Sequence, residues 1–128
     1  TAEAAQRAYA AAGLTPADMG VAEVHDCFTI AELLMMEALG FADYGKGKDL
    51  IRSGATGLAG SIPVNTGGGL VGMGHPVGAT GVKQIVEVCR QMQGRAGDYQ
   101  METAPVHGIC ANMGGDDKTA VVSVLSAE

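Results

Sequence analysis

The stretch Val21-Ala22-Glu23-Val24-His25-Asp26-Cys27-Phe28-Thr29-Ile30-Ala31-Glu32 decides the fold class. Val21 to Val24 is a short β-type run, and Thr29-Ile30-Ala31-Glu32 has the pattern of a helix capping box. Behind that box Ile30, Leu33, Leu34 and Ala38 fall on one helical face, and Gly40 ends the pattern. A strand that runs straight into a helix belongs to an α/β layer. His25 to Phe28 then sit at the C-terminal end of the strand, where α/β proteins gather their sites.

The flanking sequence extends this reading in both directions. Ala2 to Ala12 is almost entirely helix formers, stopped by Gly13. Thr15-Pro16-Ala17-Asp18 reads as an N-cap, a first-turn proline and an acidic third residue, hence a short helical turn. Residues 42–60 are glycine-rich and irregular, with a short helix expected near Asp49 to Ser53. Ile62-Pro63-Val64 is at best an edge strand because of its proline, and Gly67 to Gly74 reads as a glycine-rich loop.

The clearest helix follows His75-Pro76. Val82, Ile85, Val86, Cys89 and Met92 recur at spacings of three and four, Lys83, Glu87, Arg90 and Gln91 take the outer positions, and Gly94 closes it. Cys89 is therefore expected in the core as a small hydrophobe. Two strand candidates, Val106 to Ala111 and Thr119 to Leu125, are joined by Asn112 to Asp117 as a hairpin with a wide turn. The expectation is one α/β domain over residues 1–128, with a mixed β-sheet flanked by helices.

Composition narrows the function. Of 128 residues, 47% are apolar and 17% charged, which excludes a disordered chain. A net charge of -6 with scattered basic residues excludes nucleic-acid binding. No apolar run is long enough for a membrane span and no secretory signal pattern opens the chain. Ser126-Ala127-Glu128 is not a peroxisomal address, so a cytoplasmic location is expected. Three cysteines without paired spacing, Cys27, Cys89 and Cys110, fit free thiols in a reducing compartment. The chain begins at Thr1, as a piece of a longer protein would. Twenty glycines beside two Phe, three Tyr and no Trp point to close backbone packing and close approach to a ligand.

The candidate chemistry lies around two histidines. His75 stands between a glycine-rich loop and a helix N-terminus, in Gly74-His75-Pro76-Val77-Gly78-Ala79-Thr80-Gly81. Pro76 holds the preceding residue extended, the flanking glycines leave room for a ligand, and the helix offers free N–H groups. His25 and Cys27 occupy alternate positions and face the same way if the strand continues. A thiol near an imidazole and a helix N-terminus is one that can ionise. Gly67 to Gly72 matches the dinucleotide-binding expression, but it lacks the strand before and the helix after that give that motif meaning. His25, Cys27, His107 and Cys110 do not have the spacing of a zinc site; no metal is expected, and His107 and Cys110 read as parts of a buried strand.

Three motifs, in order, resemble those of the thiolase superfamily and span nearly the whole chain. His25-Asp26-Cys27-Phe28 is similar to the HDCF motif of sterol-carrier-protein-type thiolases, standing where other thiolases carry Asn-Glu-Ala-Phe. Gly74 to Gly81 resembles the GHPxGxxG signature. Asn112-Met113-Gly114-Gly115 falls where other thiolases carry Cys-x-Gly.

The resemblance implies the C-terminal half of a five-layered αβαβα fold. It also implies an acyltransferase that cleaves 3-ketoacyl-CoA with CoA, or condenses acyl-CoA in the reverse sense. In that family the GHP histidine, here His75, activates a nucleophilic cysteine and donates to the oxygen of the thioester enolate. His25 takes the place of the asparagine that holds a water in the same oxyanion hole, and Gly114 that of the glycine whose N–H serves a second one. The proton-shuttling Cys of Cys-x-Gly is Asn112 here, and in the sterol-carrier branch the shuttle is the HDCF cysteine, here Cys27. Cys110 lies two residues early and is not a replacement.

The nucleophile itself belongs to the N-terminal half, so this chain alone is expected to be inactive. Coenzyme A enters as substrate, with no cofactor. The implied partners are acyl-CoA and CoA, the N-terminal half, against which the Ile30-Leu33-Leu34 and Val82-Ile85-Val86 faces are expected to pack, and a further copy in a homo-oligomer. Two alternatives stand beside this. One is a thiolase-like aldolase or lyase that pairs with a zinc-ribbon and OB-fold protein. The other is a non-catalytic acyl-CoA or lipid-binding module.

Overall fold

The computed structural model describes residues 1–127. Glu128, read above only as part of the C-terminal tripeptide, lies outside them. Helix α1 (Ala2–Ala12) ends at Gly13, whose left-handed φ of 68° is open to glycine without a Cβ penalty. A capping box then forms at Thr15, where the backbone N–H and hydroxyl both donate to Asp18 Oδ2 at 2.7 Å, around a short 3₁₀ turn. Strand β1 (Val21–Val24) leads to helix α2 (Thr29–Ala38), followed by α3 (Gly47–Arg52), α4 (Gly69–Met73) and α5 (Thr80–Met92). Strands β2 (His107–Gly114) and β3 (Thr119–Ser126) complete the chain.

The sheet is mixed. β1 runs parallel to β2, with Val21 opposite Gly108, and β2 runs antiparallel to β3, with Gly114 opposite Thr119. A single parallel bridge from Ala22 to Val64 adds Ile62-Pro63-Val64 at the β1 edge. Strand alternation sends the side chains to two different layers. Ala22, Val24, Ile109 and Ala111 pack with Ala5, Tyr9, Met35 and Met36 of α1 and α2, whereas Val21 and Cys110 pack with Val88 of α5. The result is an α/β fold with helices on both faces of a mixed sheet. Gly108 permits the close approach of α5, because a Cβ there would stand 2.5 Å from Val88 Cγ1.

Four expectations are corrected. First, α2 begins after Phe28 with no side-chain cap, so the Thr29 to Glu32 capping box does not form. Glu32 is half-buried instead, and burial, then the nearby Asp26, push its carboxyl up. Second, Gly69 to Met73 is a helical turn and not a loop. Third, β2 continues through Asn112 to Gly114, which leaves only a short turn before β3.

The fourth correction is the largest. Glu87 and Gln91, expected at outer positions of helix α5, turn inward with Thr80, Gln84 and Val88, while the Val82, Ile85 and Val86 face is exposed, Val82 by 65%, as expected of a face that packs on the N-terminal half. Cys89 is accordingly only half-buried. The polar side chains can turn inward because most of their atoms find partners. Gln91 donates to Tyr99 C=O at 2.7 Å and accepts the Met101 N–H at 2.9 Å. Glu87 accepts from Tyr99 Oη–H at 2.7 Å and from Arg90 at 3.0 Å. Gln84 donates to Ala111 C=O at 3.2 Å. On α2 Ile30 and Leu34 are likewise exposed, as expected of that face, whereas Leu33 is half-buried against the core.

Candidate functional site

The site grows from the end of β1. Val24 N–H donates not to a strand but to Asn65 Oδ1, at 2.8 Å, and the ladder stops there. His25 follows, 5% exposed, on the α5 side of the sheet by alternation from Glu23. Asn112 lies on the same side of β2, two residues beyond Cys110. The His25 Nδ1 and Asn112 Oδ1 are 2.5 Å apart. At Gly81, in the first turn of α5, an added Cβ would lie 2.8 Å from Asn112 Nδ2. The last glycine of the Gly74 to Gly81 stretch therefore makes room for the Asn112 amide.

Asp26 ties the first motif to the second. Its Oδ1 accepts the Leu70 N–H at 2.6 Å and its Oδ2 faces the Val71 N–H at 3.5 Å, so a carboxylate caps the first turn of α4. Gly69 adopts φ 59°, and a Cβ on it would stand 2.2 Å from Asp26 Oδ2. Only glycine fits both the conformation and the contact. From α4 the chain passes through Gly74 to His75, which is exposed. His75 Nδ1 lies 2.6 Å from the Thr80 hydroxyl, which is also 3.1 Å from Pro76 C=O. The His75 and His25 rings meet edge to face, with centroids 4.8 Å apart and planes at 88°.

His25, Cys27, His75, Asn112 and Gly114 thus line one open cleft of about 250 Å³. Every residue singled out for chemistry from the sequence reaches it. Three side chains inside those motifs hold the site in ways that sequence reading did not assign: Asp26, Thr80 and Asn112. The signal for Asp26 was its position between two flagged residues. No local signal could reveal that its partners lie 44 and 45 positions away.

Other reactive groups lie apart. Cys110 is buried between sheet and α5, where burial and then the neighbouring Glu23 push its thiol up to about 12. Glu23, fully buried, is pushed up to about 7 by desolvation despite Lys83 at 3.1 Å. His107 pairs with Ser126 Oγ at 2.9 Å on the outer end of β2. Among the described residues no cluster of His, Cys, Asp and Glu has a metal-binding arrangement, and no helix is long and apolar enough to cross a membrane.

Residues 1–127 match the family described as thiolase C-terminal domain-like. An acetyl-CoA acetyltransferase of Methanothermobacter thermautotrophicus is 46% identical over 98% of this chain and 33% of its own length. Sterol carrier protein 2 of Homo sapiens is 46% identical over 81% of the chain and 19% of its own. A benzoylsuccinyl-CoA thiolase subunit, BbsB, of Thauera aromatica is 40% identical over 82% of the chain and 27% of its own. Among solved structures, one described as "Ltp2-ChsH2(DUF35) aldolase" superposes with a TM-score of 0.84 at 30% identity, covering 98% of this chain and 31% of that one. The chain thus spans about a third or less of the length of these relatives. With the family match running from the first residue to the last one described, this chain belongs to the thiolase family as a C-terminal domain.

Proposed function

We propose that this chain supplies the acid/base and oxyanion-binding groups of a thiolase acting on acyl-CoA, with the acylated nucleophile contributed by an N-terminal half. The observation that carries the reading is the meeting of His25, His75 and Cys27, from two distant motifs, in one open cleft. An imidazole pair beside a thiol suits the removal of a proton next to a thioester and the stabilisation of the enolate that results. Prepositioned donors at the developing negative oxygen are usually the largest catalytic contribution.

In this reading His75 takes the proton of the nucleophilic thiol and then donates to the enolate oxygen. His25 holds a water in the same oxyanion hole. Cys27 shuttles the proton to and from the substrate carbon, and Gly114 offers its N–H to the second oxyanion. Cys110 has no part, since a buried thiol pushed up to about 12 is a poor proton carrier near neutral pH. The exposed Ile30, Leu34 and Val82 give the N-terminal half an apolar surface to cover. Coenzyme A is a substrate, and a homo-oligomer is the expected assembly.

A second reading rests on the structural likeness to a protein described as an aldolase. There the same cleft would act on acyl-CoA by carbon–carbon cleavage without an acyl-enzyme, alongside a zinc-ribbon and OB-fold partner. The test joins this chain to its N-terminal half and measures thiolysis of acetoacetyl-CoA. CoA-dependent cleavage that vanishes when the N-terminal nucleophile is replaced supports the thiolase. Cleavage of a β-hydroxyacyl-CoA that needs neither CoA nor that nucleophile transfers the chain to the aldolase reading. Binding of acyl-CoA with no turnover of either kind leaves only a carrier.

A further inference from the structure

We propose that Asn112 is a positioning residue that holds His25 as its Nδ1–H tautomer, so that the His25 Nε2 is the acceptor by which the site grips a water. The use of that water rests on the thiolase reading; the tautomer does not.

The geometry begins with sheet alternation: His25, the residue after β1, and Asn112 of β2 continue the rows of Glu23 and Cys110 on the α5 side of the sheet. The amide has its Nδ2 against the first turn of α5, where Gly81 leaves just the room it needs. Its Oδ1 is turned to His25 Nδ1 at 2.5 Å. A carbonyl oxygen can only accept, so the proton on this contact belongs to Nδ1 and the lone pair of the neutral ring to Nε2. The ring is 5% exposed and its neighbour is the edge-to-face imidazole of His75 at 4.8 Å. With the amide in this orientation the reversed tautomer would set a lone pair against the Oδ1 lone pairs, and accommodating it would require the Asn112 amide to turn over and present Nδ2–H instead.

The consequence is chemical. A water bound to His25 Nε2 donates one proton to that nitrogen and has its other proton free for the enolate oxygen. With the other tautomer the ring would donate, and the water's protons would not be oriented. In this branch the residue at the Asn112 position would thus act through His25 rather than as a proton shuttle of its own.

The experiment uses the complete enzyme containing this chain, with histidines labelled in ¹⁵N, and reads tautomers from long-range proton–nitrogen correlations. Wild type is expected to show His25 as Nδ1–H, assigned by its loss in His25→Gln. Asn112→Ala is expected to abolish that preference, Asn112→Asp to restore it, and Gly81→Ala to weaken it by displacing the amide. His75 signals that stay in place report an intact fold, and if Asn112→Ala does not fold, wild type and Gly81→Ala decide. In activity, Asn112→Ala should lower kcat for exchange of acetyl-CoA methyl protons by about 10- to 100-fold with KM within about twofold. A wild-type His25 that carries its proton on Nε2, or a tautomer unmoved by Asn112→Ala in a folded protein, overturns the proposal. The predicted tautomer in an enzyme without thiolytic activity would instead leave the Asn112 inference standing and remove the thiolase reading.

Discussion

Gly69→Ala is the sharpest probe of how the two halves of the cleft are joined. At φ 59° an alanine takes on left-handed strain of about 1–2 kcal/mol. Its Cβ would also stand 2.2 Å from Asp26 Oδ2, so the carboxylate must move and release the Leu70 N–H it holds at 2.6 Å. A hydrogen bond to a charged group contributes about 1.5–3 kcal/mol. The two effects together predict a loss of about 2.5–5 kcal/mol, a large part of the stability of an ordinary domain. Gly72→Ala, three residues on in the same helix, meets no atom within 4 Å and should be neutral or stabilising by up to about 1 kcal/mol. Urea denaturation followed by circular dichroism measures both. Because Asp26 lies between His25 and Cys27, the amide resonances of those two residues should shift in Gly69→Ala and hold still in Gly72→Ala. A Gly69→Ala protein within about 1 kcal/mol of wild type, with the Leu70 amide unmoved, would refute this account of the contact.

Three further outcomes follow from the site and its surroundings. In the complete enzyme His75→Ala should lower kcat by about 10²–10³ through loss of one oxyanion donor, with a smaller effect on CoA binding; a variant within about threefold of wild type removes His75 from the mechanism. Cys27→Ala should abolish exchange of the acetyl-CoA methyl protons while acylation of the N-terminal nucleophile stays detectable by mass spectrometry, and Cys110→Ala should leave both intact; the reverse pattern moves the shuttle to Cys110. Glu23, raised from its ordinary 4.5 to about 7, binds its proton more tightly folded than unfolded, so its contribution is full below pH 4.5 and is lost as pH rises through 7. Relative to wild type, Glu23→Gln should flatten the stability profile across that window by up to about 3 kcal/mol, and parallel profiles for the two proteins would contradict the raised value.

The sequence alone determined the elements that obey local rules. The Gly13 stop, the Thr15 to Asp18 capping box and the β1-to-α2 passage are set by neighbours within a few residues, and they appear where such rules put them. The three motifs were legible for the same reason, as compact runs of unusual residues around His25, His75 and Asn112. What each face of a helix packs against was not. Periodicity located an apolar stripe on α5 but could not say that Gln84, Glu87 and Gln91 would turn to the sheet, since their partners Ala111, Tyr99 and Met101 lie in later segments. Nor could spacing show that Asp26 caps α4 or that Asn112 holds His25, contacts that span 44 and 87 positions. Hydrogen bonds of that range exist only once sheet register and helix docking have fixed both ends. The tertiary structure alone therefore decided how the motif residues are oriented, although the sequence had already marked which residues they are.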